Sequence, residues 1–436
     1  MWVRLLFALG LIVAQPAGAE EATYSPAQLQ ADSDQLLEVI EGTHPDLGFV
    51  TDRGELQREA RRIRAMIDRP MTVREAWMTM AQINPFLHDA HSGLRHPAAA
   101  FDAYREAGGA TFPVPVIVDR SGRLRIGSNP GPDVEVAAFE EIFSINGRSS
   151  EAIIAELMPR MRGETESLRR LVLAFNFPGH LWALVGPQPG YVIEVGPDRT
   201  ASRRIVLGAT SVSPAAPFSY SKPRAGVALL RVASFDPSLR DQFRLFLDRS
   251  FADIAANGAD TLLIDIRDNP GGAHDVSDLL VARLIDRPVS PTSRLTARIT
   301  EANREVSPTS DLGTVVTVPF EEPIAPAQAA PVFSDDVFVL LSENTYSQAI
   351  VFAATLRDHG IARLVGETTG GAANQTGQIS MTNLANTGLQ ALAPLYIIYR
   401  SSGDESREGL RPDIALPHDP ARPEQMVDML LERQAR

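Results

Sequence analysis

The chain has 436 residues, of which 44% are apolar and 22% charged, and 54 acidic against 41 basic residues give a formal charge of -13. This length corresponds to about three domains, each large enough to bury a core. The apolar fraction excludes a disordered chain, and a nucleic-acid binder would carry a basic patch that this acidic chain lacks. The absence of cysteine excludes a disulfide framework, a thiolate zinc site, a cysteine nucleophile and a lipoprotein anchor.

Lysine is almost absent as well, because Lys222 is the only one in the sequence. Arginine stays protonated in proteins and does not ordinarily act as a general base. A phosphate-loop lysine, a Schiff-base lysine or a Ser/Lys dyad would therefore have to use Lys222.

The amino terminus has the pattern of a secretory signal peptide. Arg4 precedes an apolar run from Leu5 to Ala14, and a small-x-small cleavage pattern ends at Ala19. The run is well short of the roughly 20 residues that span a bilayer, and no later segment is long and apolar enough to do so. We expect cleavage after Ala19 and export to a periplasm or out of the cell.

The remaining chain divides by its hydrophobic pattern. Capping boxes at Ser25 and Thr72 begin helices, and short apolar alternations between turn residues mark a β region. Farther on, strands and helices alternate, which predicts right-handed crossovers and a largely parallel sheet with functional residues at the carboxyl ends of its strands. The predicted segments are an N-terminal helical domain (20–108), a small β domain (109–212), a Pro-rich linker (213–224), an α/β core (225–417) with a hairpin insertion (287–335), and a C-terminal helix (418–436).

Two loops at predicted strand ends could carry chemistry. Gly271 and Gly272 follow a buried strand and expose backbone N–H groups, and Ser347 stands at the start of a predicted helix. A helix start favours a developing oxyanion, so these residues could supply a nucleophile and the donors that acyl transfer needs. The same residues also fit an ordinary helix N-cap and an ordinary turn, and their spacing alone leaves both interpretations open.

Several motifs, taken together and in this order, resemble those of the tail-specific (C-terminal processing) serine peptidase family. They are LLIDIRDNPGG at 262–272, TYS at 345–347, LVGETTGG at 364–371 and EGLRPDI at 408–414. Residues 87–92 are similar to the family's upstream histidine motif, and 109–212 look like a divergent PDZ-like domain. The resemblance implies an α/β, crotonase/ClpP-like catalytic core, with Ser347 as nucleophile and the amides of Gly271, Gly272 and Gln348 as the oxyanion hole.

The family has two catalytic styles, and the sequence distinguishes them. At the lysine position of the Ser/Lys branch this chain has Ala372, and Lys222 precedes the core. The sequence instead resembles the branch of the tricorn core peptidase and the interphotoreceptor retinoid-binding proteins, which carries GETTGG. That resemblance implies His91 as the base and a downstream glutamate, Glu405 or Glu408, that orients it. The serine that precedes this histidine in tricorn is Ala90 here.

Other candidate sites are weaker. His88, His91 and His96 could suggest a metal site, but no second ligand cluster accompanies them, so we expect neither metal nor cofactor. His274, close to the glycine pair, is a rival base. We therefore expect an exported serine peptidase that acts on polypeptides, without nucleic-acid partners or a membrane span. The alternatives are a non-catalytic protein that binds apolar ligands or peptides on the same scaffold, and an ester hydrolase that uses the same residues.

Overall fold

The computed structural model describes residues 21–131, 135–208, 216–320, 322–328 and 332–434. The predicted signal peptide, 1–19, lies outside the described residues. Within them, no helix is both long enough and apolar enough to cross a membrane.

The N-terminal segment is helical, as its capping patterns predict. Its elements are β1 (Thr23–Tyr24), α1 (Pro26–Thr43), α2 (Arg53–Ala65), β2 (Met71–Thr72), α3 (Val73–Met80), β3 (Gly93–Leu94) and α4 (Ala98–Glu106). Ser25 and Thr72 form the two predicted capping boxes. A 3-10 helix (Ala81–Leu87) follows α3 and ends at His88, whose φ of 47° turns the chain sharply. This turn begins the loop that carries His91.

The next segment is a sheet with three helices. Its elements are β4 (Val116–Val118), β5 (Leu124–Ile126), β6 (Glu141–Ile145), β7 (Arg148–Ser149), α5 (Ser150–Leu157), α6 (Glu166–Phe175), α7 (Phe177–Val185), β8 (Tyr191–Gly196) and β9 (Arg203–Leu207). The strand order is β4-β5-β6-β8-β9, with β7 beside β6. We call residues 109–208 the β domain. Its buried side chains, such as Leu124 and Ile193, form one cluster with Leu36 and Trp77 of the helical segment. The two segments therefore share a single hydrophobic core.

The α/β core is built on a six-stranded sheet of order β10-β11-β12-β15-β16-β19. Its elements are β10 (Phe218–Arg224), β11 (Val227–Val232), α8 (Arg240–Asn257), β12 (Thr261–Asp265), α9 (His274–Val281), β15 (Asp336–Leu341), α10 (Gln348–Asp358), β16 (Arg363–Gly366), β19 (Ile414–Ala415) and α11 (Glu424–Gln434). From β11 to β19 the strands are parallel. The prediction of an α/β fold with a largely parallel sheet is confirmed.

Part of the predicted linker is a strand. Residues 218–224 form β10, which pairs antiparallel with β11. Phe218 packs on Phe243 with ring centroids 4.6 Å apart, whereas Lys222 and Pro223 are exposed at the sheet edge, where a proline without an N–H is tolerated. The proline and lysine made this edge strand look like a connection in the sequence.

A second sheet packs beside the first and has the order β14-β13-β18-β17. Its strands are β13 (Thr292–Arg298), β14 (Val315–Pro319), β17 (Gln375–Asn383) and β18 (Gln390–Arg400). The segment predicted as a hairpin insertion supplies β13 and β14, which pair antiparallel. The short strand β3 also pairs with β18, and this pairing brings the His91 loop against the core.

Candidate active site

Ser347 lies between the end of β15 and the start of α10, in a strained conformation. Its φ and ψ are 51° and -125°, a region that costs a residue with a side chain about 1–2 kcal/mol. The loop before it is fixed to the neighbouring strand end, because Tyr346 N–H donates to Asn269 O at 3.0 Å and Thr345 Oγ1 donates to Ile266 O at 3.0 Å. Since Ser347 makes no side-chain cap of its helix, its hydroxyl is free for another partner.

That partner is His91. The Ser347 Oγ lies 3.1 Å from His91 Nε2, although the two residues are 256 positions apart in the chain. The imidazole is buried, with 5% of the residue exposed. Its backbone N–H donates to Asp89 Oδ1 at 2.8 Å, which closes a tight turn and aims the ring at the serine. The structure thus brings together the two residues that the motifs suggested as nucleophile and base.

The other ring nitrogen of His91 faces two hydroxyl groups. Nδ1 lies 3.1 Å from Thr376 Oγ1 and 2.9 Å from the Tyr346 hydroxyl, and the Tyr346 ring stacks on the imidazole with centroids 5.0 Å apart. Thr376 Oγ1 in turn donates to Asp89 Oδ1 at 2.8 Å. Burial raises the pKa of Asp89, but the adjacent imidazoles of His44 and His91 outweigh burial and hold that pKa well below its usual range. Asp89 is therefore ionised and accepts these bonds.

The glycine pair lies directly against the nucleophile. Gly271 has a φ of 101°, and a Cβ added there would come within 2.7 Å of Ser347 Cβ. Its N–H donates to Asn269 Oδ1 at 2.8 Å, so this amide is already engaged. The N–H groups of Gly272 and Gln348 have no hydrogen-bond acceptor among the residues that the structure describes. The structure therefore removes Gly271 from the predicted oxyanion hole as a donor and leaves Gly272 and Gln348 available.

Comparison with known proteins matches this part of the chain to one family. Residues 226–416 fit the family model "Peptidase family S41". The α/β core is an S41 serine peptidase domain. The resemblance to tail-specific peptidases that the motifs suggested is thereby confirmed.

Solved structures extend the likeness over nearly the whole chain. Mature CPAF matches with a TM-score of 0.61 at 15% identity, covering 93% of this chain and 96% of that one. Mature CPAF complexed with lactacystin matches with a TM-score of 0.62 at 15% identity, covering 94% and 97%. The photosystem II D1 C-terminal processing protease matches with a TM-score of 0.51 at 16% identity, covering 90% and 93%. At these identities the likeness concerns the fold, including the segments before the peptidase domain.

Neither glutamate expected to orient His91 lies beside it. The Glu405 carboxylate pairs with Arg294 and that of Glu408 pairs with Arg411, and both side chains are mostly exposed, at 73% and 65%. The backbone of this segment contacts the residues just before β17, since Ala373 N–H donates to Glu408 O. The prediction that one of these acids orients His91 is therefore corrected by the structure.

The rival histidines are also placed elsewhere. His274 is 65% exposed and lies 3.5 Å from Asp278, while His88 is exposed and His96 packs against Gly179. Within the described ranges, no three histidine or acidic side chains are grouped so that they could hold a metal ion.

Further groups reach the site that sequence reasoning did not assign to it. Asp89 and Tyr346 are neighbours of the motif residues and could have been considered from their positions. Thr376 reaches His91 through the register of β17, and Glu164 reaches Tyr346 from the β domain, with Oε1 3.3 Å from the tyrosine hydroxyl. Such long-range placements leave no local sequence signal.

A cavity of about 560 Å³ adjoins the nucleophile loop. It lies between the β domain and the peptidase domain and is lined by Ile117, Phe139 and Leu171 on one side and by Asn344 on the other. Ser347 and His91 are not part of its lining, so it is a separate space next to the serine loop.

Proposed function

We propose that the protein is an exported serine peptidase that hydrolyses peptide bonds, with Ser347 as nucleophile and His91 as general base. The observation that carries this proposal is the 3.1 Å separation of Ser347 Oγ and His91 Nε2, within the reach that proton transfer requires. His91 Nε2 takes the serine proton as Oγ attacks the substrate carbonyl carbon. The imidazolium then protonates the leaving amine, and water hydrolyses the acyl-enzyme by the same route.

The imidazole must carry its proton on Nδ1 if Nε2 is to accept one from the serine. Thr376 Oγ1 can accept from Nδ1–H and donate its own proton to Asp89. Asp89 then acts on His91 through an intervening hydroxyl and stabilises the positive charge that develops on the ring. Asp89 thus takes the role that the family resemblance implied for Glu405 or Glu408.

The oxyanion in this proposal is bound by the Gly272 and Gln348 amides. Their N–H groups have no acceptor among the described residues, and the Gln348 amide opens α10, where the helix dipole favours negative charge. Loss of one such donor typically raises the barrier by about 3–4 kcal/mol. The geometry of the glycine turn therefore matters about as much as the nucleophile.

The edge strand β17, which begins beside the site, could bind a polypeptide substrate. β17 begins at Gln375, whose Nε2 donates to Ser347 O at 3.0 Å, and forms one edge of the second sheet, with β18 as its only partner among the described strands. Residues 378–383 are exposed or half-buried. An extended peptide could add to this edge as a further strand and so approach the serine.

Fluorophosphonate labelling of the mature protein tests the proposal. From about pH 6 to about pH 9, the wild type should be labelled, and Ser347→Ala and His91→Ala should not, while circular dichroism shows that all three are folded. Hydrolysis of an unfolded polypeptide should follow the same order. A folded wild type that is never labelled would contradict the proposed peptidase activity and favour the binding-protein alternative. The cavity beside Asn344 would then be the site to probe with apolar ligands.

Export is part of the proposal and has its own test. The signal pattern at 1–19 supports it, and amino-terminal sequencing of the protein recovered outside the cytoplasm should begin at Glu20. Recovery only from the cytoplasm, with Met1 retained, would contradict export without affecting the chemistry.

A further inference from the structure

Glu164 contacts both chain segments that carry the catalytic pair. Its Oε2 accepts a hydrogen bond from Ala90 N–H at 3.1 Å, and Ala90 directly precedes His91. Its Oε1 lies 3.3 Å from the hydroxyl of Tyr346, which directly precedes Ser347. One carboxyl group thus ties the base loop to the nucleophile loop.

The location of this acid calls for an explanation. Glu164 lies in the β domain, between α5 and α6, and its side chain is mostly buried. No arginine, lysine or histidine nitrogen among the described residues lies within ion-pair distance of it. A buried carboxyl group without a cationic partner is costly. A glutamine, which has one acceptor oxygen, could accept only one of the two hydrogen bonds that Glu164 accepts.

The two contacts complete a second path to His91. Nδ1 of His91 faces Thr376, which is backed by Asp89, and Tyr346, which is backed by Glu164. In each path a hydroxyl group can accept the Nδ1 proton and donate its own to a carboxyl group. The two hydroxyls share the single Nδ1 proton of His91. The charge on the carboxyl group that each hydroxyl contacts therefore affects the orientation of the imidazole ring.

We propose that Glu164 is a positioning residue for His91, acting through the Tyr346 hydroxyl, so that the β domain supplies part of the setting of the catalytic base. The inference rests on the proposed function. In this arrangement the protonation state of the Glu164 carboxyl group controls how strongly the Tyr346 hydroxyl accepts a hydrogen bond from the imidazole.

The groups that face Glu164 set when it ionises. Burial, and next the negative charge of Asp89, raise the pKa of Glu164 to about 8, against hydrogen bonds from Ala90 N–H and the Tyr346 hydroxyl that favour ionisation. Arg162 is the nearby cation and His91 the nearby base. Glu164 is therefore protonated at neutral pH and ionises under mildly alkaline conditions. Its negative charge would then favour the imidazolium that forms in the transition state.

The test compares second-order labelling rates against pH for the wild type, Glu164→Gln, Tyr346→Phe and Glu166→Gln. Glutamine cannot ionise, so the Glu164→Gln labelling rate should lack the component that depends on the charge of Glu164. Above about pH 8 the wild-type rate should rise by a further threefold to tenfold, roughly, and the Glu164→Gln rate should stay level. Tyr346→Phe should also lose the alkaline rise, because the path to His91 is cut.

Glu166→Gln is the matched control, since Glu166 lies on the same segment, is 68% exposed and pairs with Arg170. It should keep the wild-type profile. A Glu164→Gln profile of unchanged shape, whether equal to the wild type or lowered uniformly, would mean that Glu164 is only structural and would overturn the inference.

A measurement that needs no activity separates this inference from the proposed function. In protein with ¹³C-labelled histidine, the His91 Cε1 signal can be assigned because it is missing from the spectrum of His91→Ala. The chemical shift of this signal, followed against pH, should show an inflection near pH 8 in the wild type and none in Glu164→Gln. A wild type that does not react with the fluorophosphonate but still shows this inflection would reject the proposed peptidase activity and support the coupling between Glu164 and His91. Absence of the inflection in a wild type that labels would reject the coupling alone.

Discussion

The Thr376 hydroxyl donates to Asp89 Oδ1 at 2.8 Å, and this bond joins the second sheet of the peptidase domain to the loop that carries His91. Both groups are buried, with 3% of Thr376 and none of Asp89 exposed. Asp89 also accepts from His91 N–H and from Ser92 Oγ. The bond is therefore part of a buried network on which the orientation of His91 depends.

Thr376→Val should impair turnover more than folding. Valine keeps the shape of the side chain but removes the hydroxyl between Nδ1 and Asp89, so we expect kcat/KM to fall by about tenfold to a hundredfold. The unfolding free energy should fall by about 1–3 kcal/mol, because buried Asp89 loses one donor. Thr376→Ser, which keeps the hydroxyl, should retain most of the activity. Equal activity of the valine and serine variants would remove this hydroxyl from the mechanism.

Asp89→Asn should make stability depend less on pH in the acidic range. The folded-state pKa of Asp89 is lowered, so its ionised form contributes stability that is fully present above the unfolded pKa of about 3.9 and is lost as the pH falls through the folded value. The unfolding free energy of the wild type should exceed that of the variant by about 3 kcal/mol at neutral pH. That gap should stay constant above about pH 5 and shrink below about pH 4 in urea unfolding.

Asp34→Asn is a suitable control for that experiment. Asp34 lies in the same helical segment but is 59% exposed and pairs with Arg64. Its replacement should change stability little at any pH. A gap for Asp89→Asn that widened on acidification would show that Asp89 is not ionised in the folded protein.

Alanine at either glycine of the turn should abolish labelling of Ser347. A Cβ at Gly271 would meet Ser347 Cβ at 2.7 Å, and one at Gly272 would meet Phe235 O at 2.1 Å. Both glycines also have positive φ. Gly122→Ala provides the control, since Gly122 has a φ of 77° but open space around it. If all three variants were labelled at the wild-type rate, the close packing of the turn would be irrelevant to the nucleophile.

Glu405→Gln and Glu408→Gln should each leave kcat/KM within about twofold of the wild type. Their carboxylates pair with Arg294 and Arg411 and do not contact His91. Steady-state hydrolysis of a polypeptide is the appropriate measurement. A loss of kcat/KM in either variant as large as that expected for Thr376→Val would restore the downstream glutamate as the orienting acid.

Lysine at both Ile379 and Met381 should weaken binding of long substrates. The two side chains are 40% and 59% exposed on β17, and lysine on an edge strand disfavours the addition of another strand. We expect KM for an unfolded polypeptide to rise by about threefold or more, with kcat for a small chromogenic ester unchanged. Val206→Lys, at an exposed position on β9, should affect neither. An unchanged KM would argue against substrate pairing along β17.

The sequence was informative where function is carried by contiguous motifs. Ser347 and His91 each stand in a short recognisable run, and strand-helix alternation predicted the parallel sheet. The partners of His91 Nδ1 were missed because Thr376 and Tyr346 reach the ring through sheet register and loop packing. Glu405 and Glu408 were misassigned because counting along an exposed segment does not reveal that their carboxylates pair with Arg294 and Arg411.

The shared core of the helical segment and the β domain has a consequence for how activity arises. Leu87 and Leu94, on either side of His91, belong to that core, whereas Tyr346 and Ala349, on either side of Ser347, belong to the core of the peptidase domain. The two cores also interlock, since Ala90 packs into the core of the peptidase domain and Ala391 of β18 packs into the shared core. The proposed catalytic pair therefore exists only after both cores have formed and packed together. A chain in which only one of these cores has formed holds one member of the pair without the other, so proteolytic competence would report that both cores are complete.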